Sequence, residues 1–495
     1  MARTPRSADS QTSRPQAGRR DFLKASAAAA AFGTFTISGT KSSGRVIGAN
    51  DRVRVAVAGL NGRGMSHTSA YLGMPDVEIA YLVDPDTRTY AKHLSAIDSK
   101  ARTDKPEQVQ DIRKALEDKN VDAVSIATPN HWHTLMTVWS CEAGKDVYVE
   151  KPCSHNVREG RAAVEASRKY DRIVQHGTQN RSSKNWRALA AAIKEGQFGK
   201  LTVARGLCYK PRKSIGMKPV APPPAEIDFN LWLGPAPEQP HHGNLVHYNW
   251  HWFWDFGNGD YGNQGVHQAD VARWMIPGAT LPKSVVSVGG RVGYVDQGQT
   301  PNTQICAYDY GDTMLVFEVR GLPTDPYYGQ KVGNTFHFED GTTIAGGKLY
   351  KKGSTEGETL KLTVDKDTLG DGSMFRNFVD AMRSRKREEQ YADILEGHYS
   401  SALCHMANIS YRLGEEVAFD GQGKAFGGDV ACLETLKRME EHLGANSLQF
   451  AGEKFRLGKK LTIDAANEKF VDASEADKLL TREYRKGFEV PAKIA

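Results

Sequence analysis

The stretch Val53-Arg54-Val55-Ala56-Val57-Ala58-Gly59 constrains this chain more than any other. A short β-branched run that ends in glycine reads as a buried strand feeding a tight turn. Gly59-Leu60-Asn61-Gly62-Arg63-Gly64 then opens a helical stretch, and a second run, Val77 to Val83, ends at Asp84. A charged amphipathic helix over 111–119, a strand over 121–127 and a helix over 134–143 follow, with Gly144 past the helix end. Another strand is expected over 146–150 and another helix over 157–170. Strands that alternate with helices specify a parallel sheet covered on both faces, a doubly wound α/β unit.

Beyond about residue 176 that rhythm breaks. Leu201 to Lys210 reads as a long strand, and 211–240 is Pro-rich, the composition of a long ordered loop. After a helix over 268–275, strand-like runs over 284–292, 304–310, 314–319 and 335–338 succeed one another, punctuated by Asp312, Gly321 and Gly341. Successive strands without helices between them argue an antiparallel sheet, hence a second, α+β domain. Helices are expected over 374–386 and 400–413, and 450–495 reads as a mixed C-terminal tail. A chain of 495 residues with 39% hydrophobic and 25% charged residues can bury a sizeable core, which excludes global disorder, collagen and a small disulfide scaffold. No stretch approaches the ~18–20 apolar residues that span a bilayer, so no stable membrane span is expected.

The net charge of +6 invites a nucleic-acid reading, but four of those excess charges fall in residues 1–40. A phosphate-binding surface needs clustered Lys and Arg, and the remainder has little surplus, so no nucleic-acid partner is expected. Gly18-Arg19-Arg20-Asp21-Phe22-Leu23-Lys24 precedes a weakly apolar run, Ala25 to Ile37, and resembles a bacterial twin-arginine signal. Residues 1–40 are therefore expected to be a removable leader, 41–50 a linker, and the protein periplasmic or otherwise exported. That route carries proteins already folded, which implies a cofactor loaded in the cytoplasm. Cys141, Cys153, Cys208, Cys306, Cys404 and Cys432 are scattered, with no C-x-x-C pair and no metal-ligand spacing. Folding in a reducing compartment makes them buried thiols rather than disulfides, and no metal is expected.

The glycines of 59–64 permit a tight turn and the close approach of a pyrophosphate to a helix N-terminus. Asp84 stands twenty residues after Gly64, where a carboxylate hydrogen-bonds the adenosine ribose of NAD and repels the 2′-phosphate of NADP. NAD is the expected cofactor and NADP the less favoured one, with Arg88 close enough to soften the preference. Thr128-Pro129-Asn130-His131-Trp132-His133 follows another strand, at the sheet end where ligands of open α/β sheets bind. Glu150-Lys151-Pro152 closes a further strand. A lysine there, facing a nicotinamide, can hold a substrate hydroxyl and stabilise its alkoxide. The aromatic stretch 248–255, with Trp250 inside it, suits the C–H faces of a carbohydrate and equally suits a core.

The glycine turn, Thr128-Pro129 with His133, and Glu150-Lys151-Pro152, in this order and spacing, resemble the glucose–fructose oxidoreductase / inositol dehydrogenase (Gfo/Idh/MocA) family. The resemblance spans residues 50–440. It implies an N-terminal Rossmann domain over 51–175 and a second domain over 176–449 on an open, largely antiparallel sheet that often pairs subunits into a homo-dimer or homo-tetramer. Cofactor contacts are implied for Gly59, Asn61, Gly62, Arg63, Gly64, Asp84, Thr128, Pro129, Asn130, His133, Glu150 and Lys151. The family's third motif, Asp-x-Gly-x-His-x-x-Asp, reads Asn263-Gln264-Gly265-Val266-His267-Gln268-Ala269-Asp270 here. His267 matches the family's catalytic histidine, and histidine titrates near neutral pH. Asn263 stands where the family has aspartate; it can hydrogen-bond a hydroxyl but cannot accept a proton, so the acid–base work falls to His267 with Lys151. Asp270 is expected to support that helix or orient the imidazole. Gln179, Arg181, Trp250, Asp260, Asn263 and His267 are the candidate substrate contacts.

The function these readings imply is an exported NAD-dependent oxidoreductase moving hydride to or from a secondary hydroxyl of a sugar, glycoside or polyol, with its cofactor tightly held. Two alternatives stand beside it. One is an NAD-dependent glycosidase acting by transient oxidation and elimination; the other, suggested by Asn263, is a non-catalytic sugar-binding relative.

Overall fold

The computed structural model describes residues 52–100, 102–363, 369, 372–448 and 454–494; the expected leader and linker lie outside them. Six parallel strands form the first sheet: β1 (Val53–Ala58), β2 (Val77–Val83), β3 (Glu107–Val109), β4 (Ala123–Ile126), β5 (Asp146–Glu150) and β6 (Val174–Gly177), in the order 3-2-1-4-5-6. Chain order reverses between β1 and β4, and the crevice outside their carboxyl ends is where such sheets bind ligands. Every residue of β4 and β5 is buried, as a sheet covered on both faces requires. The covering helices are α1 (Gly64–Leu72), α2 (Tyr90–Ser99), α3 (Ile112–Glu117), α4 (Asn130–Glu142) and α5 (Val157–Lys169). Helix α4 starts four residues earlier than its sequence suggests, directly after Pro129, which at φ −58° and ψ 152° is the non-helical residue preceding it. The parallel sheet takes in Val174–Gly177, slightly past the expected boundary at 175.

After α6 (Lys184–Lys194) the chain enters a second sheet whose centre is β7 (Leu201–Tyr209). Its neighbours are β8 (Ser284–Gly290), β9 (Thr303–Asp309), β10 (Met314–Arg320) and β11 (Val332–Phe338), in the order 11-7-10-9-8. Only the β7–β10 pair among these is parallel; the others are antiparallel, as the successive strand signals imply. The irregular 211–240 segment holds one short helix, α7 (Phe229–Leu233). One face of the second sheet packs on α8 (Val266–Trp274) and α10 (Ile394–Arg412) through Phe317, Tyr308, Ala269, Leu403 and Met406. Between them, α9 (Met374–Ser384) returns to the first domain, where Phe378 joins its core and Phe375 stacks on Tyr148 at 4.6 Å.

The other face of the sheet is not bare. Val288, Ile305 and Val316 pack against Leu436, Met439 and Leu443 of α11 (Val430–Ala445), whose apolar residues Cys432, Leu436, Met439 and Leu443 recur at helical spacing. A buried carboxylate under this helix, Glu318, accepts hydrogen bonds from Tyr209 and Arg438, both at 2.6 Å. All six cysteines are buried and free, matching their scattered placement. Among the described residues no helix is long and apolar enough to cross a membrane.

Candidate active site

The turn after β1 is built for close approach. Gly59 sits at φ +86°, and a Cβ on it would lie 2.4 Å from the backbone nitrogen of Thr128. A Cβ on Gly64 would lie 2.0 Å from the Gly59 carbonyl, so that glycine serves packing between turn and helix. Gly62 has open space around it, and α1 begins without a side-chain cap. An uncapped helix N-terminus beside a groove favours a negatively charged group there.

That groove encloses about 380 Å³ and runs between the two domains. Gly59, Asn61, Gly62, Arg63, Asp84, Thr128, Pro129, Asn130, His133, Glu150 and Lys151 all line it, and so do Gln179, Trp250, Asn263 and His267. Three expected site residues do not. Gly64 packs beneath the turn. Arg181 is 5% exposed and clasps Asp270, with Nε 2.9 Å and Nη2 2.9 Å from its carboxylate oxygens, so it is a structural partner rather than a substrate contact. Asp260, 2% exposed, accepts from Arg212 at 2.7 Å and is turned away from the groove. The same Arg181 pair corrects Asp270: it anchors α8 to α10, also accepting from Ser400 Oγ at 2.6 Å, and does not orient the imidazole of His267.

At one end of the groove, Asp84 is already engaged. Its Oδ2 accepts from Leu60 N at 2.7 Å and its Oδ1 from Asp86 N at 2.9 Å, which ties the glycine turn to the end of β2. Burial pushes this carboxyl above the usual carboxylate range, against those two donors. Arg88 is held by Asp86, at 2.6 Å, and so is not aimed at the groove. Asp86 also pairs with His247 Nε2 at 2.6 Å.

In the middle, Glu150 gathers the surrounding polar groups. Arg63 Nε donates to its Oε1 at 2.9 Å and Gln179 Nε2 at 2.9 Å, with His67 Nε2 at 3.2 Å. Burial acts to raise Glu150, but His67, Arg63 and Lys151 hold it well below the usual carboxylate range. The carboxylate therefore fixes the glycine-turn arginine rather than meeting a ligand alone. His133 braces the two loops: Nδ1 lies 2.6 Å from Pro152 O and Nε2 2.7 Å from Thr128 O.

At the far end Lys151, His267, Asn263, Tyr248 and His251 converge on one space. Lys151 Nζ donates to the backbone carbonyl of Asn263. Burial pushes its ammonium below the ordinary lysine range, opposed by Glu150 and assisted by Arg63 and Lys210. Burial, and then Lys151, push His267 down to about 3, leaving a neutral imidazole whose ring nitrogen can accept a hydrogen bond from a hydroxyl. His267 has no hydrogen-bond partner among the described residues, so it is available to a bound hydroxyl. Asn263 Nδ2 donates to the Tyr248 phenol oxygen at 3.2 Å, which also accepts from Arg212 Nη1 at 3.2 Å. Trp250 stacks on His251, with ring centroids 3.6 Å apart.

Tyr248, His247 and His251 were not singled out by sequence. They belong to the 211–260 segment, which carries its own small core of Ile227, Trp232, Leu245, Phe253 and Phe256. The segment docks on the first domain through Thr87 N to Glu226 O at 3.1 Å, Asp228 N to Pro85 O at 2.9 Å and Trp132 Nε1 to Leu231 O at 3.0 Å. Its aromatic density was the available signal; its partner in the other domain was not.

A dinucleotide fits these residues. The open Gly62 edge and α1 start suit a pyrophosphate, and the groove would hold an adenosine beside Asp84 and Pro85 and a nicotinamide beside Lys151 and His267.

Comparison with known proteins agrees with that geometry. Residues 53–178 match the family model described as oxidoreductase family, NAD-binding Rossmann fold, and residues 206–439 match that family's C-terminal alpha/beta domain. The chain is similar to myo-inositol 2-dehydrogenase of Thermotoga maritima, with 30% identity over 174 residues, 35% of this chain and 48% of that protein. It is also similar to a glycosyl hydrolase family 109 protein of Shewanella pealeana, 25% identical over 168 residues, which are 33% of this chain and 37% of that protein. The chain thus spans less than half the length of these relatives. Among solved structures, the WlbA dehydrogenase of Bordetella pertussis in complex with NADH and UDP-GlcNAcA has a TM-score of 0.52 at 18% identity, covering 73% of this chain and 97% of that one. The two matched domains, the 3-2-1-4-5-6 sheet and the groove at its switch point lead to one conclusion: the chain belongs to the Gfo/Idh/MocA family of NAD-binding oxidoreductases.

Proposed function

We propose that this enzyme oxidises or reduces a secondary hydroxyl of a sugar, glycoside or polyol, with NAD kept in the groove through turnover. The observation that carries the reading is the convergence of Lys151, neutral His267 and Tyr248 at the end of the groove that begins at the glycine turn. NAD supplies the hydride acceptor, and as NADH the donor. In the oxidative direction His267 takes the hydroxyl proton, and the Lys151 ammonium donates to the oxygen as negative charge develops on it. Asn263 and Tyr248 offer donors and acceptors that place the neighbouring hydroxyls. Retention of the cofactor is supported by the docked 211–260 segment, whose His247 latches to Asp86 over the adenosine end.

A glycosidase that transiently oxidises its substrate is the second reading, favoured by the similarity to the family 109 protein. A panel of sugars, polyols and aryl glycosides, read for both reduced nicotinamide and released aglycone, separates the two. Aglycone release without net reduction of nicotinamide supports the glycosidase and contradicts the dehydrogenase.

Export by the twin-arginine route belongs to the same proposal and rests on Arg19-Arg20 followed by Phe22-Leu23-Lys24. Fractionation of cells making the wild type or an Arg19-Arg20→Lys-Lys variant tests it; equal export of the two contradicts it. Homo-dimer or homo-tetramer formation would here have to use α11 or another surface, since α11 covers the sheet face, and light scattering on the purified protein measures it.

A further inference from the structure

A second cavity, of about 230 Å³, lies apart from the cofactor groove. Four pieces of chain wall it: the turn after β5 with His155, the loop before α8 with Trp254 and Asp255, helix α10 with His405 and Arg412, and the C-terminal segment with Lys478 and Arg482. Arg412, Lys478 and Arg482 share the cavity wall with one carboxylate, Asp255, which already accepts from Gln239 Nε2 at 3.1 Å, while the buried Glu159 carboxyl lies behind the wall within electrostatic reach of Arg482.

Its polar groups are incompletely satisfied. Arg482 Nη1 donates to the Asp255 carbonyl at 2.8 Å and to His155 Nδ1 at 3.2 Å. Because Nδ1 accepts there, the proton of neutral His155 sits on Nε2, a buried donor that approaches the Trp254 backbone but makes no well-formed hydrogen bond. Arg482 Nη2 is likewise a buried, unpaired donor; Nδ1 of His405, a residue 3% exposed, also lacks a partner, as donor or acceptor according to whether Nε2 faces Ser154 Oγ without or with its proton. Buried donors without acceptors are rare in folded proteins and call for a ligand. The Arg412 guanidinium makes no hydrogen bond among the described residues and lies 5.4 Å from the Trp254 ring centroid, at the mouth of the cavity. A metal cation is disfavoured beside three cationic side chains, and an apolar ligand leaves the donors unpaired. What satisfies them is an acceptor carrying negative charge.

We propose that this cavity binds a small oxyanion, a phosphate, sulfate or carboxylate group, as a site separate from the cofactor groove. The group sits among Arg412, Lys478, Arg482 and His155, and whatever body carries it lies over Trp254. Asn258 joins the two sites: its Oδ1 accepts from Asn130 of the cofactor groove at 3.3 Å, and its Nδ2 donates to the His155 carbonyl at 3.1 Å.

The test is anion titration of the full chain saturated with NAD, followed by calorimetry and thermal unfolding, with inorganic phosphate, sulfate and citrate against chloride at equal ionic strength. The expected result is saturable binding of at least one of the three, weakened at least about tenfold by Arg412→Gln and by Lys478→Gln, with NAD affinity unchanged in both. Neither of these side chains is buried, so both variants are expected to fold. No saturable binding, equal binding in wild type and both variants, or binding seen only when NAD is left out would each overturn the proposal; the last would place the anion on the pyrophosphate-binding turn.

Discussion

Lys151 reaches the backbone carbonyl of Asn263, not its side chain. The contact that steadies the ammonium is therefore independent of which residue occupies position 263. It follows that Asn263→Asp, which restores the family's carboxylate, changes kcat by less than about tenfold, whereas Lys151→Ala lowers it by at least about a hundredfold. Steady-state kinetics on the two variants check this. A larger effect at 263 than at 151 would show that the side chain, not the carbonyl, organises the site.

His247 is the part of the covering segment that grips the adenosine end, through its 2.6 Å contact with Asp86. His247→Ala is expected to raise the NAD dissociation rate by about tenfold while leaving the chemistry at Lys151 intact. Stopped-flow displacement of bound NAD measures it, and an unchanged rate would mean that the segment does not retain the cofactor.

The Arg181–Asp270 pair is buried, and removing Arg181 takes away the direct ion partner of Asp270, leaving it Ser400 and the charge of Arg273. Arg181→Met is expected to cost about 3–5 kcal/mol of stability, with KM little changed in the protein that remains folded. Denaturant unfolding and substrate titration give both numbers. A raised KM with normal stability would return Arg181 to the substrate.

Several buried imzidazoles are pushed below their ordinary value of 6.5 by burial: His131, His251, His267 and His405 to about 3, His176 to about 4. Their folded forms stay neutral while the unfolded chain takes up protons near 6.5, so stability is full above that pH and is lost as pH falls toward 3. Glu150, held low when folded, acts in the same direction at more acidic pH. Between about pH 7 and about pH 5 the unfolding free energy should fall with a slope of up to about 1.4 kcal/mol per pH unit for each such histidine. Urea unfolding across that range tests this, and a flat profile contradicts it.

The first domain was legible because its signals are local. The runs 77–83 and 146–150 became strands with those bounds, and the glycine turn sits where the period-two and helical patterns meet. The second domain's strands were legible for the same reason. What the sequence did not disclose were contacts between distant residues. Arg181 with Asp270, Arg212 with Asp260 and His247 with Asp86 are separated by 89, 48 and 161 positions. Each of those charges looks equally available to a substrate until the fold pairs it. Helix α11 has a local signal too, in Cys432, Leu436, Met439 and Leu443, but the sheet face it covers is again a distant contact.

The central claim is tested most directly by single turnover of the protein loaded with NAD. Mixed with a sugar or polyol that it accepts, the wild type should reduce about one equivalent of bound nicotinamide, and Lys151→Ala, still carrying NAD, should reduce none. Equal reduction by the variant, or a wild type that neither carries nor binds NAD, would contradict the account.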